Sequence, residues 1–184
     1  MSFNQHKVEH GMALILEGLG VDKNDANFTH TPERYARALR EMFYPEATDW
    51  ATFAESYNDF ILLRGHQVFS LCPHHALPVA LRVSLAYVPN GHVLGLSKLA
   101  RLLDEANDKP LLQEKFTMDA LTKLQSVCPD VRGAACAVSG RHSCLSMRGV
   151  KSQADFFTYS TFGRFDEDSA LVDRFLRLVG EQRV

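Results

Sequence analysis

The sequence predicts an α+β fold: an antiparallel sheet with two consecutive helices inserted between strand pairs, preceded by a helical N-terminal region. Three observations carry this. Apolar residues recur at helical spacing in the first third, they alternate over residues 79–87, and two helical patterns stand back to back before a series of β-like stretches. No repeat, low-complexity tract or Pro/Gly/Ser-rich linker interrupts the 184 residues. The expectation is therefore one domain, 1–184, with a helical part over 1–50 and the sheet-bearing core over 51–184.

In order along the chain, Val8, Met12, Ile15 and Leu16 mark a helix over residues 5–18. Thr31-Pro32-Glu33 reads as a helix start, with a hydroxyl N-cap, proline at the first helical position and an acid at the positive end. That helix should stop near Phe43, before Tyr44-Pro45, and Arg34 and Arg37 project from one of its faces. Val79, Leu81, Val83, Leu85 and Tyr87 alternate with Ala80, Arg82, Ser84 and Ala86, the pattern of a half-buried strand. Pro89-Asn90-Gly91 is a turn, followed by a short apolar segment from Val93 to Leu96. Ser97 reads as the N-cap of a helix to about Ala106, and Asn107-Asp108-Lys109-Pro110 restarts a second one whose inner side carries Leu112, Phe116, Ala120, Leu124 and Val127. Three β-like stretches follow, over 133–139, 144–150 and 156–162, and a helix over 169–179 closes the chain.

Twenty basic against 22 acidic side chains leave a formal charge of −2, with 46% hydrophobic and 23% charged residues. That is the composition of a soluble globular protein, without the basic excess of a nucleic-acid-binding or anionic-membrane surface. No apolar run approaches the roughly 20 residues of a membrane span, and Met1-Ser2-Phe3-Asn4-Gln5-His6 does not read as a signal peptide. The expected location is cytoplasmic. Four cysteines there are better read as thiols for metal or chemistry than as two disulfides.

The densest chemical cluster is Ser70-Leu71-Cys72-Pro73-His74-His75. Cys-x-x-His places a thiolate and an imidazole within reach of one ion, and both belong to the ligand set of zinc. A second cluster, Arg141-His142-Ser143-Cys144, offers Cys144 as a third ligand. Three protein ligands leave an open tetrahedral position, the arrangement of catalytic zinc. His74 and His142 would then be extra imidazoles suited to moving protons. A closed structural site with Cys136 or His142 as fourth ligand is the alternative, and adjacent histidines on a strand point to opposite faces, so one of the pair can simply be packed. Cys128 and Cys136 sit among apolar residues and read as buried thiols. Gly95-Leu96-Ser97-Lys98-Leu99-Ala100-Arg101 sets two cations on the first turn of a helix, which suits a phosphate or a solvated face. No Walker A loop and no Gly-x-Gly-x-x-Gly is present.

Taken in order, Thr31-Pro32-Glu33-Arg34, Cys72-Pro73-His74-His75, Gly95 to Arg101, Gln113-Glu114-Lys115, His142-Ser143-Cys144 and Met147-Arg148-Gly149-Val150 resemble the GTP cyclohydrolase I family over about residues 8–180. The resemblance implies a tunnelling fold in which subunits join their antiparallel sheets into a barrel, typically as a decamer of two stacked pentamers. It implies hydrolytic opening of the purine imidazole ring of GTP, loss of C8 as formate, and rearrangement to 7,8-dihydroneopterin triphosphate. Carried over residue by residue, Cys72, His75 and Cys144 match the Zn2+ ligands, and His74 and His142 match the proton-transfer histidines. Glu114, with Gln113 beside it, matches the guanine-binding position, while Arg34, Arg37, Ser97, Lys98, Arg101 and Arg148 match the triphosphate and ribose end.

Two departures stand out. The family loop reads Cys-Glu-His-His where this chain has Pro73, which removes a carboxylate and a backbone donor and fixes φ. Lys115 replaces an arginine, exchanging a bidentate fork for a point charge. Both bear on rate, substrate or product, and neither touches a matched ligand. The competing readings are a divergent tunnelling-fold purine or pterin hydrolase and a catalytically inactive nucleotide-binding homologue.

Overall fold

The structure, a computed structural model, describes residues 3–22 and 24–181. The chain divides into two units, Met1–Glu46 and Ala47–Val184. In the first, α1 (Gln5–Gly18) and α2 (Thr31–Phe43) pack on each other. The Asn4 side chain caps α1 by accepting from the Lys7 amide. The expected hydroxyl cap of α2 is not formed. His30 occupies the cap position and Thr31 is the first helical residue, so Pro32 falls inside the first turn. No residue of α1 is buried, and Leu14 and Ile15 stand exposed on it.

The second unit begins with β1 (Thr52–Ala54), β2 (Ile61–Leu71), β3 (Pro78–Val88) and β4 (His92–Leu94). The two helices α3 (Leu96–Ala106) and α4 (Gln113–Val127) follow, then β5 (Gly133–His142), the single turn α5 (Ser143–Ser146) and β6 (Phe156–Gly163). A short α6 (Arg164–Glu167) and α7 (Ser169–Gly180) end it, with the Asp168 carboxylate accepting from the Leu171 amide at 3.2 Å as the cap of α7. The main sheet is antiparallel throughout, in the order β2-β3-β5-β6, and β1 pairs separately with β4. This is the expected α+β architecture, with two consecutive helices between the strand pairs.

Both sheet faces are covered only over the second half of β3, and this explains where its alternation ends. Leu81, Val83, Leu85 and Tyr87 join Leu99, Leu102, Leu103, Phe116 and Leu124 of α3 and α4 in one core. From Ser84 onward the opposite face is buried too, because Ala86, Val88, Ala135 and Ala137 pack on Phe165 and on Leu171 and Phe175 of α7. Small residues at these positions of β5 let the second layer approach closely.

The sequence pattern does not reveal β2. Its two halves are offset by a register shift between Leu63 and His66, where Gly65 adopts φ 74° and donates its amide to Ser84 Oγ. The bulge breaks the period of two that a strand pattern needs. The stretch expected as a strand over 144–150 is instead the helical turn α5 followed by a loop. The Met147 amide bonds back to the Ser143 carbonyl, and Gly149 and Lys151 take positive φ, so the local bonds turn the chain off the sheet. Ser97 is also not a cap: α3 begins at Leu96 after Gly95, without a side-chain cap. The second helix starts at Gln113, leaving 107–112 as connection.

Gly163 ends β6 with φ 61°, and a Cβ there would run into the Arg132 carbonyl oxygen. Gly163→Ala combines this clash with a left-handed backbone and is expected to cost about 2–4 kcal/mol. Phe116→Ala, which empties a fully buried position, should cost about 3–5 kcal/mol. Urea unfolding reads both as lower midpoints, and a wild-type midpoint for Gly163→Ala would contradict the close approach.

Candidate functional site

The site forms where β2 passes to β3 and where β5 ends. Residues 72–77 make the connecting loop, tied at its base by the Cys72 amide donating to the Leu77 carbonyl at 2.8 Å. The Cys72 carbonyl accepts from the amides of His75 at 3.4 Å and Ala76 at 2.8 Å, closing a tight turn over Pro73 and His74. Proline is favoured at the second position of such a turn, where its fixed φ pre-forms the bend. Pro73 is thus compatible with the loop that sets Cys72 and His75 side by side.

Across the sheet, β3 pairs with β5 so that Val79 faces His142. The residues following His142 therefore lie beside the loop preceding Val79, and α5 turns Cys144 toward it. The ligand atoms of Cys72, His75 and Cys144 all lie within 4.8 Å of one another. Cys72 Sγ is 3.6 Å from His75 Nδ1. A tetrahedral ion with a metal–sulfur bond near 2.3 Å and a metal–nitrogen bond near 2.0 Å would need about 3.5 Å between those atoms. The residues present therefore fit a metal ion. Among the described residues no fourth His, Cys, Asp or Glu joins the group, so the closed site with Cys136 or His142 as ligand is not formed. Cys136 is fully buried in the core instead, where desolvation pushes its thiol up to about 12. Cys128 is buried as well.

Burial raises the Cys144 thiol, and the neighbouring Cys72 thiol raises it further. Thiolates are the form that binds a metal, so metal binding and loss of thiol protons are coupled. Arg148 Nη1 lies 2.9 Å from His75 Nε2, at the ring nitrogen opposite the Nδ1 that faces Cys72.

A cavity of about 380 Å³ opens beside these ligands. Cys72, Pro73, His74, Cys144 and His142 form one wall, Gln113 and Glu114 at the start of α4 another, and Leu111, Leu112, Leu145 and Phe156 supply apolar surface. His74 lies in the turn, not on a strand, and is exposed. His142 is half-buried with its ring edge-on to Phe156 at 5.8 Å. Burial holds its pKa below the ordinary histidine value, while the Glu114 carboxylate works in the opposite direction. Gln113 is buried, and its side-chain amide is hydrogen-bonded to β5, β6 and His142. Thr158, also on the lining, belongs to this network. A lone threonine in a strand carries no signal that would have marked it in the sequence.

Other expected residues lie elsewhere. Ser97, Lys98 and Arg101 sit on the first turns of α3, outside the lining of this cavity. Arg34 and Arg37 are exposed on α2 of the first unit. Lys115 pairs with Asp119 one turn along α4, at 2.6 Å, and also lies off the lining. Among the described residues no helix is long and apolar enough to cross a membrane.

The chain is similar to known proteins over nearly its whole length. The GTP cyclohydrolase 1 of Clostridium perfringens (strain 13 / Type A) is 35% identical over 182 residues, covering 96% of this chain and 98% of that one. The GTP cyclohydrolase 1 of Enterococcus faecalis is 38% identical over 171 residues, with 89% and 91% covered. A solved archaeosine synthase QueF-Like in the apo form aligns with 57% of this chain and 96% of its own at 18% identity and a TM-score of 0.45. The sequence model of GTP cyclohydrolase I matches residues 8–180. With that match spanning both helical and sheet units, the chain belongs to the GTP cyclohydrolase I family.

Proposed function

We propose that this chain is a zinc-dependent GTP cyclohydrolase I, converting GTP and water to 7,8-dihydroneopterin triphosphate and formate in the cytoplasm. The observation that carries the reading is the meeting of Cys72, His75 and Cys144, two of which share a cavity with His142 and Glu114, in a member of that family. In this reading residues 8–180 act as one catalytic domain, and Cys72, His75 and Cys144 hold Zn2+. Zinc, when bound, supplies a Lewis acid able to activate water near neutral pH.

The chain's own groups do the rest. The Glu114 carboxylate, an acceptor only, suits the N1–H and 2-amino donors of guanine. Leu111, Leu112, Leu145 and Phe156 pack the base and exclude water from it. His142, whose burial disfavours the charged ring, takes and returns a proton at the imidazole ring of the base. His74, exposed at the rim, serves the later ribose steps. Arg148 contacts His75 and would meet the ribose and phosphate end.

Triphosphate binding asks for more cations than this cavity's lining contains. A homo-oligomer, typically a decamer in this family, answers that need if Ser97, Lys98 and Arg101 at the start of α3 face a neighbour's cavity, with Arg34 and Arg37 assigned by the resemblance alone. Support comes from the sheet itself. β2 and β6 are its end strands, and Phe69, Phe157 and Tyr159 on them are exposed. Pairing across subunits into a barrel would cover such edges.

Incubation with GTP should release formate and a product that becomes a fluorescent neopterin on oxidation. His142→Ala should keep zinc and assembly while losing at least about 100-fold in turnover. A zinc-loaded wild type that releases no formate would overturn the reading in favour of a divergent hydrolase or an inactive homologue.

The ligand assignment has its own check. Cys144→Ala should no longer hold stoichiometric zinc by atomic absorption. Alkylation mapped by mass spectrometry should show zinc protecting Cys72 and Cys144, with Cys136 unmodified in either state. Full metal retention by Cys144→Ala would remove that residue from the ligand set.

A further inference from the structure

Gln113 is the first residue of α4 and is only 4% exposed. Its Nε2 lies 3.1 Å from the Val138 carbonyl oxygen and 3.0 Å from that of Phe156. Carbonyl oxygens only accept, so the orientation of the amide is determined: Nε2 faces β5 and β6, and Oε1 faces His142. Turning the amide over would set Oε1 against two carbonyl oxygens with no hydrogen between them, a costly arrangement in a buried position.

The direction of the surrounding hydrogen bonds follows. Thr117 Oγ1 donates to the Gln113 backbone carbonyl at 2.8 Å, which uses its one hydrogen. Thr158 Oγ1, 2.8 Å from Thr117 Oγ1, must then donate to it and accept from Gln113 Nε2 at 3.2 Å. The two Nε2 hydrogens thus face three acceptors, the Val138 and Phe156 carbonyls and Thr158 Oγ1, so one hydrogen is shared between two of them. Room for the amide comes from Gly140 of β5, where a Cβ would run into Gln113 Oε1.

His142 Nε2 lies 3.0 Å from Gln113 Oε1. An oxygen already established as an acceptor requires a donor opposite, so in the neutral ring the proton sits on Nε2 and the lone pair on Nδ1. We infer that Gln113 is a positioning residue: it makes no substrate contact through its side chain but holds His142 as the Nε2–H tautomer, so that Nδ1 is the atom that takes a proton from the reaction. The inference rests on the reading of His142 as a proton-transfer group. It replaces the expected substrate-binding role of Gln113 with one exerted through His142. When Nδ1 receives a proton, the Nε2–H bond to Gln113 persists, and the ring keeps its orientation through the cycle.

Solid-state nitrogen NMR of zinc-loaded protein labelled at histidine reads the tautomer directly, with the His142 signals identified by their loss in His142→Ala. The expected result is an Nε2–H ring for His142 in the wild type. An Nδ1–H ring would overturn the inference, whether or not any variant folds. Gln113→Met removes the amide at similar length and should lower kcat about 10–100-fold with KM for GTP changed less than about 3-fold, and should give mixed tautomers. Gly140→Ala should move the same two readouts in the same direction by displacing Oε1. A KM raised 10-fold or more with kcat intact would make Gln113 a substrate contact instead. A wild type that shows the Nε2–H ring but releases no formate would sink the proposed activity while leaving the tautomer assignment standing.

Discussion

Everything at the site depends on the pairing of β3 with β5, with Val79 opposite His142. β3 is bonded to β2 on one side and β5 on the other. The loop that enters β3 and the turn that leaves β5 therefore emerge at the same end of the sheet. Cys72 and Cys144, far apart in sequence, meet because of this single register. A slip by one residue would exchange the two faces of β5 and carry Ala134, Cys136 and Val138 out of the core they share with α3 and α4. Core packing and ligand placement are thus one constraint, and the hydrophobic free energy of the core maintains the geometry of a polar site.

The same economy appears at the start of α4. Phe116, Ala120 and Leu124 anchor the helix on the sheet, which carries its first residue, Gln113, to the ends of β5 and β6. Gln113 joins the two strands through the Val138 and Phe156 carbonyls, and the adjacent residue, Glu114, faces the cavity. Neighbours in sequence therefore divide the work, one turned into the protein and the other toward solvent. The buried amide is hydrogen-bonded to His142, and the exposed carboxylate is an acceptor on the cavity. Each member of the buried network has a partner, the condition under which such a network rigidifies a site and does not weaken it.

Much of this was legible in the sequence, for identifiable reasons. The two consecutive helices carried apolar residues at clean helical spacing, and β3 alternated because one face of its first half is exposed. Cys-x-x-His is a local motif, so Cys72 and His75 could be paired from spacing alone. β2 was hidden by the bulge at Gly65, a defect that only the paired strand explains. The turn α5 was hidden because Cys144, Leu145 and Met147 look like strand residues until the ladder is seen to end at His142. Thr31 and Ser97 had the chemistry of caps but stand one or two residues inside their helices. Gln113 was recognised as a site residue, but its burial and its hydrogen bonds to β5, β6 and His142 are properties of the fold and leave no mark on one sequence.

The central claim is that one register brings two thiolates and one imidazole to a single ion with a fourth position left for a non-protein ligand. X-ray absorption spectroscopy of the zinc-loaded protein tests it most directly. The account predicts two sulfur neighbours at about 2.3 Å and two nitrogen or oxygen neighbours at about 2.0–2.1 Å. A shell with three or four sulfurs, or with none, would contradict it.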